Sequence, residues 1–489
     1  MQIKKVVLCL LALMVAGQWT VSAQIGEVEN YKQGKGLAKT FEPQFIGSDG
    51  QVAVFVQMAG RMKNKAELVS YDMEQKELAR VRLSENDDLR SYGGYVNGNY
   101  ADLLMAEWKG EDMKVYRDRR DKTTLQPVGE PLVLSEYKGT KGDKMAFTIQ
   151  PSANEELLAG IYIIGREGQP VEMQVSLYSR ELEEYWKMDT RCRKLDFVYV
   201  TDSGEVLIGG YNNPGKFLVY VLDGENEESY TFEEEFGKIS EARIARYAKG
   251  KIYIVLAHSG REKNEIHPMV DYIASLCYDT KRKEASVDKH VITQMEYNRL
   301  NNNVKDDAKV KNVMSNKKDD YRVPFFSLNQ VIPDKDCCYA MFDQSWRVTL
   351  DGRPSEWNRY GMMVARVDND GKFEWINTYH FYGCSAWDSR SFSGYRWVRT
   401  DKGLLLVWAE NKTNIKNKGE EQMRAYTPMN SAGMLTAALL DGDGSMVRQH
   451  FELPSKQSLM GYPHKMDNGD YLLFIRGKSQ GFFAKLKLK

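Results

Sequence analysis

What the chain lacks narrows its reading first. It has six cysteines and six histidines among 489 residues, no Cys-x-x-Cys pair and no zinc-ligand spacing. Cys9 lies in the N-terminal apolar segment. The remaining Cys192, Cys277, Cys337, Cys338 and Cys384 are odd in number and cannot all pair within one chain. Cys337 and Cys338 are neighbours on an expected strand, so they should point to opposite faces as small buried residues. Net charge is missing too: Lys+Arg and Asp+Glu each number 68. Such a chain has no overall basic field to draw nucleic acid or an anionic membrane, and neither is expected as a partner. No G-x-S-x-G, H-E-x-x-H, P-loop or dinucleotide fingerprint occurs, and no cofactor or metal is expected. No stretch beyond the N-terminus is apolar for long enough to cross a membrane.

What is present begins with a secretory signal. Lys4-Lys5 precede an apolar core over residues 6–16, and Val21-Ser22-Ala23 place small residues before Gln24. The expectation is a signal peptide over 1–23 and a single exported domain over 24–489, soluble in the periplasm or outside the cell. Gln24 and not a cysteine stands directly after the cleavage point, so a lipid anchor is not expected.

The rest of the chain repeats one device, an apolar strand, an Asp/Asn-Gly turn and a return strand. Residues 359–379 show it: an apolar run to Val367, the turn Asp368-Asn369-Asp370-Gly371, then Phe373, Trp375, Asn377 and Tyr379 on one face. Asp223-Gly224 and Asp441-Gly442-Asp443-Gly444 are turns of the same kind. A second hairpin, with turns such as Asp202-Ser203-Gly204 and Asp401-Lys402-Gly403, precedes most of these. The unit is therefore four short strands recurring at roughly 45 to 55 residues, close to the period of propeller blades. Many strands are apolar at successive positions, as over 217–222, so both faces are buried. A plain sandwich buries one face and alternates. The expected fold is all-β: a β-propeller of about eight four-stranded blades, or seven if the weakly patterned second blade merges with a neighbour. The expected blades are 41–83, 92–134, 145–187, 195–234, 242–292, 325–381, 392–453 and 461–489. The last shows three strands, and its fourth is expected from the mature N-terminus, 25–32, which would close the ring.

Long connections concentrate in blades five to seven, about 258–432. They are 258–269, 293–323, 344–358, 382–391 and 410–432, and long loops on a rigid scaffold are where function gathers. Six of the tryptophans fall in the same part of the chain. Trp375, Trp397 and Trp408 lie on expected strands. Trp346, Trp357 and Trp387 are expected in loops, accompanied by Arg347, Arg353, Arg359, Tyr382 and Arg390. Aromatic platforms beside arginines suit stacking and hydrogen bonding to a sugar or peptide. The alternative is that these loops pack on one another and cap the blades. Asp351, His380 and Asp388 are the candidates for acid/base chemistry. His258, Glu262, Glu265, His267 and Asp271 match no compact metal site. Asp368/Asp370 and Asp441/Asp443 are better explained as turn residues than as calcium loops.

The Asp-Gly hairpins, as in Val367-Asp368-Asn369-Asp370-Gly371-Lys372-Phe373-Glu374-Trp375, resemble those of exported bacterial β-propeller proteins. The resemblance spans nearly the whole mature chain at the level of the fold and implies no catalytic residues. Three functions follow as expectations: binding of a protein, peptide or glycan through the long-loop face, glycan cleavage there by a hydrolase or lyase, or a structural place in an envelope assembly.

Overall fold

The computed structural model describes residues 25–488, except 30–43, 60–64, 75, 84–88, 141–143, 166–170, 193–194, 214–215, 233–238, 261–268, 302–320, 335, 351–352, 387–394, 417–432, 453–457, 467–468 and 477–480. The strands form eight antiparallel four-stranded sheets taken in chain order, the blades of a β-propeller. Strands A to D of each blade run from the axis outward. The blades span 44–82, 89–137, 144–192, 197–232, 239–291, 326–386, 396–452 and 458–488. Blade two is complete, so the count is eight and not seven. In blade eight the outermost strand is Gly26–Glu29, antiparallel to Gly481–Leu488 with Gly26 opposite Leu488. The N-terminal strand thus closes the ring and removes its open edge.

The continuous apolar runs follow from stacking. In Gly403–Asn411, strand B of blade seven, Leu404, Leu406 and Trp408 belong to the core shared with blade six. Leu405, Val407 and Ala409 belong to the core shared with blade eight. Side chains alternate along the strand, yet both faces meet a neighbouring sheet, so 404–409 is apolar at successive positions. The buried apolar residues fall into eight such clusters, each bridging two adjacent blades, and the last joins blade eight to blade one. Each large side chain so buried contributes roughly 1.5–3 kcal/mol. Cys338 lies in the cluster between blades five and six and its neighbour Cys337 in that between six and seven, as strand alternation requires. Burial pushes both thiols up, which keeps them inert.

The Asp-Gly turns close by side-chain hydrogen bonds. Asp368 Oδ1 accepts from the Asp370 and Lys372 N–H groups, each at 2.8 Å, and Gly371 takes φ +78°. Asp279 and Asp121 hold their turns in the same way.

The structure departs from expectation in three places, one being 382–386, expected in the 382–391 connection but the end of the strand Phe373–Ala386. Most of 344–358, expected as a loop, is a β-ladder. The linker after blade five begins with a helix, Gln294–Asn301. Thr293 caps it: its Oγ1 accepts from the Glu296 N–H at 3.3 Å while Glu296 Oε2 accepts from the Thr293 N–H at 2.8 Å.

Candidate functional site

Blade six is built longer than the rest. Its strands Cys337–Leu350, Arg353–Asp368 and Phe373–Ala386 have 14, 16 and 14 residues. No other described strand exceeds the 11 of Met269–Asp279. Up to Gln344 and from Gly361 onward these strands lie in the ring. Beyond that point they continue as a three-stranded extension, with Trp346 opposite Asn358, Arg347 opposite Trp357 and Arg353 opposite Leu350. Trp357 also pairs with Ser385, and Arg359 with Gly383. At about 3.3 Å per residue the six-residue overhang reaches roughly 20 Å. It leaves the ring on the end opposite the A–B turns, because antiparallel order puts B–C connections there.

The boundary between ring and extension is marked by bulges, at Gln344/Ser345 and at Arg359/Gly361. Bulges redirect a strand. Tyr360, left out of the ladder at the second, is fully buried and stacks on Tyr382 with centroids 5.4 Å apart. Beneath it lies a polar network. Arg359 Nη1 donates to Asp343 Oδ2 at 2.9 Å, and both residues are under 9% exposed. Asn329 donates to the same carboxylate oxygen at 3.0 Å and to the Tyr395 hydroxyl at 3.2 Å. The Arg359 guanidinium also lies 5.8 Å from the Tyr395 ring centroid. Gln344 Nε2 donates to Asn301 Oδ1 at 2.8 Å and to the Pro324 carbonyl at 3.0 Å. Through Asn301 the helix after blade five braces the root of the extension. A Cβ on Gly361 would sit 3.2 Å from Leu300 Cδ2, so helix and strand are in direct contact.

Of the residues singled out in the sequence, the ladder brings Trp346, Arg347, Arg353, Trp357 and Arg359 onto one hairpin, with Tyr382 on the adjoining strand. Trp346 and Trp357 are therefore on strands, not in loops, and occupy successive rungs. Arg359 sits at the root as an anchor. His380 is on the third strand, its backbone opposite Gly361. Asp351, Trp387, Asp388 and Arg390 lie outside the described residues. So do Glu262, Glu265 and His267. Of that group His258 and Asp271 are described: Nδ1 and Oδ1 are 2.6 Å apart, and the imidazole stacks on Tyr272 at 4.3 Å. Among the described residues no group of three or more His, Cys, Asp or Glu could hold a metal.

Sequence reasoning missed the axial cavity. It has a volume of about 1400 Å³ and is lined by the A strands and A–B turns of blades three to eight. Its A–B turns belong to the end of the ring away from the extension, and its wall reaches Asn329, which donates to Asp343 at the root of the extension. Its residues come in short runs from six separate repeats, so no single contiguous motif announces them.

No family model matches the chain, and no curated protein is similar to it. Solved structures similar to it include the WD40 domain of SCAP from fission yeast, at 8% identity and TM-score 0.41 over 95% of this chain and 98% of that one. The β-propeller domain of the Trilobed protease from Pyrococcus furiosus is similar at 11% identity and TM-score 0.35, over 83% and 95%. A Synechocystis apocarotenoid oxygenase is similar at 7% identity and TM-score 0.36, over 88% and 92%. Nothing of what these proteins do is carried to this chain.

Proposed function

We propose that the protein is an exported, non-catalytic propeller that engages a protein, peptide or glycan through the blade-six extension and the loops around it. The observation that carries this reading is the extension itself: three strands that overrun the ring and add nothing to its closure. Their root is held by a buried ion pair and by buried Tyr360 stacked on half-buried Tyr382. A rigid base beneath an outlying surface is how a scaffold presents a binding element. The tryptophans and arginines of the hairpin supply the residue types that dominate binding energetics. The leader at Lys4-Lys5 and residues 6–16 supports export. Among the described residues no helix is long and apolar enough to cross a membrane.

The test is a thermal-shift screen of residues 24–489 against glycans and peptides. It is repeated on a trimmed chain in which 346–357 are replaced by an Asn-Gly turn. A ligand at one hundred times its Kd should stabilise the intact chain by about 2.7 kcal/mol. The trimmed chain should keep its own melting temperature and lose the ligand response. A hit that persists after trimming would place binding elsewhere.

A further inference from the structure

Strand B of every blade lies between strands A and C, so within the ring both of its edges are paired. Blade six breaks this rule where it leaves the ring. Strand A, Phe326–Pro333, starts opposite Gln344, while strand B, Cys337–Leu350, runs on to Leu350. The chain that could have continued strand A alongside it is diverted. Phe325 takes φ +56°, a left-handed conformation that is costly for a bulky side chain. The residues before it, Val323 and Pro324, pair instead with Val270 and Met269 of blade five. Among the described residues nothing pairs with the strand-A edge of 346–350.

Strand alternation says which groups are left open. Ser345 donates its N–H to the Phe325 carbonyl at 3.1 Å, so its backbone groups point to the strand-A side. In an antiparallel ladder the N–H and C=O of one residue point the same way, and the next residue points oppositely. Both bulges put the extra residue, Tyr360 and Ser355, on strand C, so strand B keeps its alternation. Arg347 and Thr349 therefore turn N–H and C=O to the open side, roughly 7 Å apart. Pro354, which has no N–H to offer, stands opposite Thr349, as this register requires.

The outer strands of the blades are edges too, but most carry two or more charges, as in Glu77–Arg82, Glu184–Cys192 and Glu284–Val291, which blunts them. Leu132–Tyr137 of blade two has a single charge but is headed by Pro131, which blunts an edge as well. Residues 346–350 carry one charge, Arg347, among Trp, Val and Thr, which favour strands. We infer that the extension takes its partner by strand addition: an extended peptide segment pairs with the main chain of Arg347 and Thr349 on the open edge of strand B. This rests on the extension being the binding element and names what it binds. A sugar has no repeat of N–H and C=O to match that edge. A second copy of the chain would meet it with the same short stretch, far below the roughly 20–30 residues a side of a stable interface, whereas a peptide is held by main-chain bonds of this kind.

The test selects random dodecapeptides displayed on phage against residues 24–489 and titrates the strongest synthetic peptide by calorimetry. That peptide is then made with single backbone N-methyl groups, scanned along its length. Methylation at alternate residues should weaken binding by about tenfold or more, and methylation between them far less. Arg347→Pro, which removes an edge N–H, should weaken binding by a similar factor. Arg347→Gln, which keeps the N–H and loses the charge, should weaken it much less. The N-methyl scan uses the unaltered protein and so decides the matter even if Arg347→Pro disturbs the hairpin. Trimming 346–357 should abolish binding. Peptides that need the extension yet tolerate N-methylation at every position would overturn strand addition and leave the extension as the binding element. The same holds if a glycan binds the extension and no peptide is selected, or if the chain dimerises through this edge. Selected peptides that survive trimming would overturn the inference and count against the extension as well.

Discussion

The side-chain amide of Gln449 accepts a hydrogen bond from the Gly26 N–H at 3.0 Å and donates one to the Gly26 carbonyl at 2.9 Å. Gln449 is on the outer strand of blade seven and Gly26 on the closing strand of blade eight. The N-terminal strand is thus held by its ladder to 481–488 and also sideways by the preceding blade. Ile25, 5% exposed, packs into the core between the same two blades. Gln449→Ala leaves both backbone groups of Gly26 without this partner and should cost about 1–3 kcal/mol. Removing residues 24–30 should cost more, because it also reopens the edge of blade eight. Urea midpoints measure both, and unchanged midpoints would contradict closure by this strand.

Breaking the anchor of the extension should be expensive. Arg359→Ala strands the Asp343 carboxylate, which is 3% exposed. Loss of one partner of a buried pair typically costs about 3–5 kcal/mol. Equilibrium unfolding should show a loss of that size, while Asp370→Ala on an exposed turn should show much less. A loss under about 1 kcal/mol would mean that the pair is not what holds the root.

His464 stacks on Phe45 between blades eight and one, with ring centroids 4.2 Å apart. Burial depresses its pKa to about 4. The unfolded chain, with an ordinary histidine near 6.5, binds the proton first as pH falls. Stability from the neutral ring is therefore full above about pH 6.5 and declines as pH drops towards 4, by about 2 kcal/mol at pH 5. His464→Phe should abolish this part of the acid dependence. Melting curves at pH 7.5 and 5.0 decide it, and equal acid losses in both proteins would remove the assignment.

Two glycines separate backbone strain from close approach. Gly50 and Gly444 take φ +81° and +83°. A Cβ on Gly50 meets nothing within 4 Å, whereas one on Gly444 would lie 2.7 Å from Asn377 Nδ2 and 2.8 Å from Trp375 Cδ2. The Gly444 carbonyl also accepts from Asn377 at 2.9 Å. Gly50→Ala should cost about 1–2 kcal/mol, the left-handed penalty alone. Gly444→Ala should cost clearly more, because the turn of blade seven must move off blade six. Equal losses would mean that the contact yields freely.

The ring was legible because its rules are local. Asp-Gly turns and doubly buried strands name themselves, and the eight expected blades match the observed sheets within a few residues. Blade two was faint because its strand B carries Asp102, fully buried and held by two bonds from Arg119 at 2.8 and 2.9 Å, so a charge interrupts the apolar run. The helix after blade five was missed although Thr293 and Glu296 stand at capping-box spacing. The extension was mistaken for a loop because residues 345–358 have no strong apolar alternation. The axial cavity could not be assembled at all, since ring geometry alone brings residues as distant as Arg243 and Arg399 to one space.

The most direct measurement is hydrogen–deuterium exchange on the intact chain with and without a ligand found by the screen. The account predicts slowed exchange over 345–358 and 382–386, with blades one to four unchanged. Protection confined to other blades, or none on the extension at saturating ligand, would contradict it.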